Sequence, residues 1–187
     1  VIEETIEFVF RELSDNSGAF YAALDADSEG VEGKFYTWSY EELQNLLPEK
    51  LFKPFCDYFQ IKEEGNWEHT NILWTQSAIE QEWSADFQKE KEKLFEVRAK
   101  RIRPALDHKV ILGWNCMLVS GLCKIYAATG NAIYKTAAIQ CIQWLEAHMY
   151  HTPEQYFYHS VADGVPKAHA FLDDYANLKI AIRPISN

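Results

Sequence analysis

Apolar residues recur at helical spacing from the first position. Ile2, Ile6, Val9, Phe10 and Leu13 make one stripe, which predicts a helix over Val1 to Asp15. Asn16-Ser17-Gly18 stops it. Phe20 to Leu24 and Lys34 to Trp38 are short and rich in aromatics. With the glycine-containing loop between them they predict an irregular β-hairpin. Ser39 then opens a helix, and Glu42 completes a capping-box pattern. That helix runs to Leu47 and ends at Pro48, and a second short helix carries Phe52, Phe55 and Phe59.

Gly65 to Leu73 shows no periodicity and reads as a loop. Ala85 to Arg101 predicts a charged helix with Phe87, Leu94 and Val97 facing inward. Asn115 to Thr129 is apolar on almost every side, as in a helix enclosed by others, and Gly130 stands where a C-cap glycine belongs. Ala132 to His148 follows after a short connection and predicts its antiparallel partner. Within Pro153 to Pro166, Tyr156-Phe157-Tyr158 and Asp163-Gly164 predict a second hairpin. A last helix begins near Leu172 and fades at Pro184.

Helix pairs joined by long loops, some holding small aromatic hairpins, predict an all-α chain. A toroid of helical hairpins fits better than a compact bundle, whose loops are short. The 187 residues suffice for one domain with a core, and a hydrophobic fraction of 48% excludes disorder. A formal net charge of -10 argues against nucleic acid as a partner. No apolar run is long enough for a membrane span. Cys56, Cys116, Cys123 and Cys141 form no Cys-x-x-Cys pair. They read as buried free thiols, which fits a reducing, cytoplasmic setting.

Three clusters carry candidate chemistry. In Asp25-Ala26-Asp27-Ser28-Glu29-Gly30 carboxylates recur at alternate positions between aromatic segments. An EF-hand is rejected, because its twelfth position would be Tyr36 rather than a bidentate acid. A looser cation site, an Asx-rich turn and acid/base chemistry on a sugar remain as readings. The second cluster runs from Arg103-Pro104 through Asp107-His108-Lys109 to Trp114-Asn115. Trp114 offers a stacking face and Asn115 an amide for hydroxyls. The alternative pairs Asp107 with Arg103 or Lys109 and packs Trp114 in the core. In the third, Phe171-Leu172-Asp173-Asp174-Tyr175, Asp173 is expected to cap the helix and Asp174 to face a cavity. His148 and His151 lack an acidic third ligand, so zinc is not expected, and no cofactor motif is read.

These clusters, in this order, resemble the spermatogenesis-associated thioredoxin-like proteins and their bacterial relatives. The resembling blocks are Gly18 to Trp38, Arg103 to Asn115 and Phe171 to Ala176. The resemblance implies a thioredoxin-like domain followed by an (α/α)6 toroid similar to six-hairpin glycosidases and N-acylglucosamine 2-epimerases. It implies that residues 1–187 are one incomplete toroid domain, a middle section without the thioredoxin-like domain and the other hairpins. The chain departs from the family at His108 and Leu24, where relatives carry acids.

Two functions follow as expectations. In the first, the chain acts on or binds a carbohydrate or other small polar ligand. Asp25, Asp27, Asp107 and Asp174 are the candidate catalytic acids. Glu29, Trp38, Arg103, Lys109, Trp114, Asn115 and Tyr175 are the candidate ligand contacts. In the second, it is a non-catalytic binding or scaffold domain that accompanies the thioredoxin-like domain, and the acids set loop geometry.

Overall fold

The computed structural model describes residues 2–14, 17–75 and 87–183. The chain divides into two compact units. The terminal unit comprises Val1–Leu24 and Leu106–Asn187, and the central unit comprises Asp25–Ala105.

In the terminal unit, α1 spans Ile2–Glu12. Ile6 is buried and Val9 and Phe10 pack on the core, but Ile2 at the end of the expected stripe is exposed. β1 (Ala23–Leu24) does not pair with the segment from Lys34 to Trp38. Its partner is β4 (Leu106–Asp107), in the antiparallel register Ala23 to Asp107. The hairpin read from local sequence is thus replaced by a pairing between residues more than eighty positions apart.

The core of this unit is a helical hairpin. α5 spans Leu112–Thr129 and α6 spans Ala132–Met149. Gly130 at the end of α5 takes a left-handed φ of 69°, and its N–H reaches Tyr126 O at 2.8 Å. Asn131 then caps α6 by accepting from the Ile133 N–H at 3.1 Å. Leu112, Cys116, Val119 and Leu122 of α5 meet Ala138, Cys141, Leu145 and Met149 of α6, all fully buried. The opposite side of α5 exposes Trp114 and Met117, so this helix is not enclosed all round.

β5 (Val110–Ile111), β6 (Tyr150–His151), β7 (Tyr156–Ala162) and β8 (Val165–His169) form one antiparallel sheet. The Asp163-Gly164 turn joins β7 to β8 as expected. Both residues have positive φ, 51° and 74°, which matches the twist of the paired strands. Alternation along β7 puts Phe157, His159 and Val161 on one face, and Val161 lies in the core. α7 (Leu172–Ile182) packs against α5. Pro184, the expected end of that helix, lies outside the described residues.

In the central unit the acidic loop is itself a hairpin, β2 (Asp27–Ser28) against β3 (Val31–Glu32). α2 (Tyr40–Leu46) starts at Ser39, whose Oγ accepts from the Glu42 N–H at 3.0 Å. Only half of the expected capping box forms, because the Glu42 carboxylate turns to Arg101 instead. α3 (Glu49–Phe59) and α4 (Gln88–Ala99) complete the unit. Its core joins Leu43, Phe55, Phe59, Phe87 and Leu94. Residues 85 and 86, the expected start of α4, lie outside the described residues. The segment from Gly65 to Leu73 is not shapeless. Asn71 pairs its backbone with Trp38 and its buried side-chain amide with the Lys62 peptide, at 2.9 and 3.0 Å. No described helix is long and apolar enough to cross a membrane.

Candidate functional site

The candidate residues fall in both units. In the central unit, the acidic loop uses its side chains on its own chain. The Asp25 carboxylate accepts from the Asp27 N–H at 3.1 Å, an Asx turn. Glu29 pairs with Lys34 at 2.8 Å, and the Ser28 hydroxyl donates to Ile102 O at 2.6 Å. Asp27 is exposed and lies across the ladder from Glu32, an arrangement of like charges that water must screen.

Arg101 organises the same unit. Its Nη2 reaches both oxygens of Glu42 at 2.9 and 3.0 Å. Its Nη1 donates to Thr37 O at 2.7 Å and Phe35 O at 2.9 Å, with Lys34 O more distant at 3.3 Å. The guanidinium lies 4.1 Å from the centre of the Trp38 ring. Trp38 is therefore covered, at 3% exposure, and presents no stacking face to a sugar. Arg103 lies beside the Phe35 ring, its Cζ 5.7 Å from the centroid. A cleft of about 480 Å³ opens beside Ser28, Glu29, Thr37, Glu42 and Arg101. Glu29, Glu42 and Arg101 in its wall are held by these same contacts.

In the terminal unit, Asp107 pairs with Lys109 at 3.0 Å and accepts from the Lys109 N–H at 3.2 Å. Those hydrogen bonds hold its carboxyl below the usual range, so it stays ionised and is unsuited to donate a proton. Of the two partners expected for Asp107, the structure selects Lys109. Asn115 has no free hydrogen-bonding group. Its Oδ1 accepts from the Phe20 N–H at 2.9 Å and from the Cys141 thiol at 3.4 Å. Its Nδ2 donates to Phe20 O and Ile111 O, each at 3.0 Å. The amide that was expected to bind hydroxyls fastens the strand-like segment at Phe20 to α5.

Asp174 reverses its expected relation with Asp173. It is Asp174, 1% exposed, that caps α7, while Asp173 faces solvent. Asp174 Oδ2 accepts from the Phe171 N–H at 2.9 Å, and Oδ1 accepts from the Gly113 N–H at 2.9 Å. Its third partner is His159 Nδ1, 2.8 Å from Oδ2. A carboxylate that already accepts two N–H bonds is an acceptor here, so Nδ1 carries the ring hydrogen. The second ring nitrogen, Nε2, makes no hydrogen bond to protein among the described residues. The ring is 29% exposed and lies 4.8 Å from the exposed Phe171 ring.

The bond from Gly113 to Asp174 brings the starts of α5 and α7 together. Trp114, 53% exposed, follows the donor, and the half-exposed Tyr175 follows the acceptor. The Tyr175 hydroxyl accepts from the Phe157 N–H at 3.0 Å. Glycine is required at 113, because an added Cβ would lie 2.8 Å from Asp174 Oδ1. The sequence reading missed His159. Its one local signal is alternation, which places a histidine between Phe157 and Val161 on an inward strand face. Its partner lies fifteen residues away on another element, and no spacing rule connects the two.

The fold defines a predominantly helical protein with small antiparallel sheets. No family model matches the chain. It is similar to an uncharacterised protein of Caenorhabditis elegans, 29% identical over 95% of this chain and 30% of that protein. It is also similar to spermatogenesis-associated protein 20 of Homo sapiens, 27% identical over 94% of this chain and 28% of the relative. The Rattus norvegicus protein of that name is 28% identical over the same shares. This homology supports the family of spermatogenesis-associated protein 20. The chain spans less than a third of the length of these relatives.

Proposed function

We propose that the terminal unit binds a small polyhydroxylated ligand, a carbohydrate or a compound of like chemistry, beside the starts of α5 and α7. The observation that carries this reading is the exposed Trp114 ring one residue from the bond that anchors Asp174. An exposed indole next to polar groups suits a sugar, whose C–H faces stack while its hydroxyls seek hydrogen bonds. The α5/α6 hairpin backed by α7 is the kind of unit from which an (α/α)6 toroid is built. Sugar recognition at the helix ends fits such a ring, and this part rests on analogy of fold.

The test is a titration of intrinsic tryptophan fluorescence with neutral mono- and disaccharides, using the protein and its Trp114→Ala variant. Saturable quenching that is lost in the variant is expected. Equal responses from both proteins would refute the proposed position of the site. A second reading, a scaffold accompanying a thioredoxin-like domain, draws support from the acidic loop, where Asp25 and Glu29 are tied to neighbouring chain.

A further inference from the structure

We infer that the terminal unit carries a second ligand site, an aromatic cage for a methylated ammonium cation. It is the cavity bounded by the C-terminal half of α6, by β5 and by the turn that joins β7 to β8. Four aromatic or imidazole rings and one carboxylate surround a space of about 230 Å³ with apolar residues in its wall. Trp144 and His148 come from α6, Tyr21 from the segment before β1, and His108 from the link between β4 and β5. Asp163 comes from the turn. The buried residues of the wall are Val110 and Val161, partners across β5 and β7. None of these residues belongs to the starts of α5 and α7, so the site is separate from the saccharide site proposed above.

The rings are held in place by contacts with one another. Trp144 and His148, one helical turn apart, stack with centroids 4.3 Å apart and planes 15° from parallel. His148 Nδ1 donates to Trp144 O at 2.9 Å, since a carbonyl can only accept. Tyr21 and His108 meet edge to face at 5.2 Å.

The lining selects the charge of the ligand and then its type. Aromatic faces are partly negative, and the Asp163 carboxylate carries a full negative charge. Among the described residues no lysine or arginine lines the cavity, and Lys109, next to His108, is paired with Asp107 at 3.0 Å. An anion finds no permanent cation there, whereas a cation finds a carboxylate and several π faces. The net charge of -10 also raises the concentration of cations around the chain. The two valines then discriminate among cations. A plain ammonium loses hydration against them, while N-methyl groups gain from leaving water. Among the described residues no three His, Cys, Asp or Glu side chains come together to hold a metal ion. The volume lies below that of sites for drug-sized molecules and suits a compact head group.

The experiment titrates tetramethylammonium and choline into the protein at about pH 8, above the ordinary imidazole range. It follows the N-methyl proton resonances and measures affinity by calorimetry. Saturable binding with an upfield ring-current shift of the methyl signals is expected. The neutral isostere of choline, in which a tert-butyl group replaces trimethylammonium, should bind about tenfold more weakly. Asp163→Asn should weaken choline about fivefold. Asparagine tolerates the left-handed conformation at this turn, so that variant keeps the fold. Trp144→Leu should weaken choline about tenfold. Absence of saturable binding by either cation overturns the inference. Equal affinity for the neutral isostere also overturns it, because the cavity would then be merely apolar. Undiminished binding in either variant overturns it as well. Should Trp144→Leu fail to fold, the isostere and Asp163→Asn still decide.

Discussion

Each unit is organised around one charged side chain, and the two do different things with it. In the central unit Arg101 sends its donors to Glu42 and to the carbonyls of Phe35 and Thr37, and covers the face of Trp38. Both ends of each of these contacts belong to the chain. In the terminal unit Asp174 gathers two helix starts and a strand, and one of its three partners is a ring with a second, outward nitrogen. One charge is enclosed by its partners, whereas the other also fixes the orientation of a ring that reaches the surface. The difference teaches that acids abundant in sequence, as from Asp25 to Glu29, can serve the shape of their own loop.

The largest effect is expected at Asp174. Asp174→Ala leaves three buried or half-buried N–H groups without a partner and should cost about 4 kcal/mol of stability, read by urea denaturation. A loss below about 1 kcal/mol would mean that the carboxylate does not hold the unit together. Arg101→Ala should cost about 3 kcal/mol. Arg101→Lys should recover little of it, because an ammonium cannot reproduce the planar fork. Hydrogen exchange should place this loss in amides of Asp25–Ala105. Uniform loosening of both units would break the contrast between them.

Gly113→Ala comes next. The new Cβ would press on Asp174 Oδ1 from 2.8 Å, and about 2 kcal/mol is expected. The variant sharpens the comparison, since it should disturb the His159 ring signals while leaving Arg101 and its unit unaffected. An unchanged histidine spectrum would argue that the His159–Asp174 bond does not depend on this close approach.

The smallest effect concerns pH. Burial pushes the Cys116 and Cys141 thiols from an ordinary 9.0 up to about 12. A raised folded-state value means that the unfolded chain loses these protons first. The stabilisation is complete below pH 9 and is lost as pH rises toward 12. At pH 10 each thiol should cost about 1 kcal/mol. Alanine at both positions should flatten the alkaline limb of a stability–pH curve. Alkylation at pH 8 should spare both thiols in the folded protein and modify them on unfolding. Rapid labelling of the native state would contradict their burial.

Helix periodicity was the most legible part of this chain. α5, α6 and α7, the Gly130 cap and the Asp163-Gly164 turn follow from spacing and local backbone preference, because each depends on residues within a turn or two of itself. The Asx turn at Asp25 and the pairing of Asp107 with Lys109 were legible for the same reason. The hairpin expected from Phe20 to Trp38 failed because strand pairing is not local. β1 found a better partner in β4, and the aromatic segment gave its carbonyls to Arg101.

The three structural amides were invisible as such. Asn66, Asn71 and Asn115 each pair with main-chain groups remote in sequence or across a loop. An asparagine in a sequence carries no mark of which peptide it will meet. The same holds for the choice between Asp173 and Asp174. Adjacent residues at a helix start differ in direction by about 100°, and only the positions of Gly113 and His159 decide which of the two turns inward.

By itself, then, the sequence determined the helices, the caps at Ser39 and Gly130 and the tight turns, since these arise from hydrogen bonds and sterics within a few residues. Tertiary structure alone decided that Asp174 would be buried, that Asn115 and Trp38 would serve the chain itself, and that His159 would stand with one nitrogen held and the other open. Those outcomes depend on burial and on contacts between distant elements, and no local pattern encodes either.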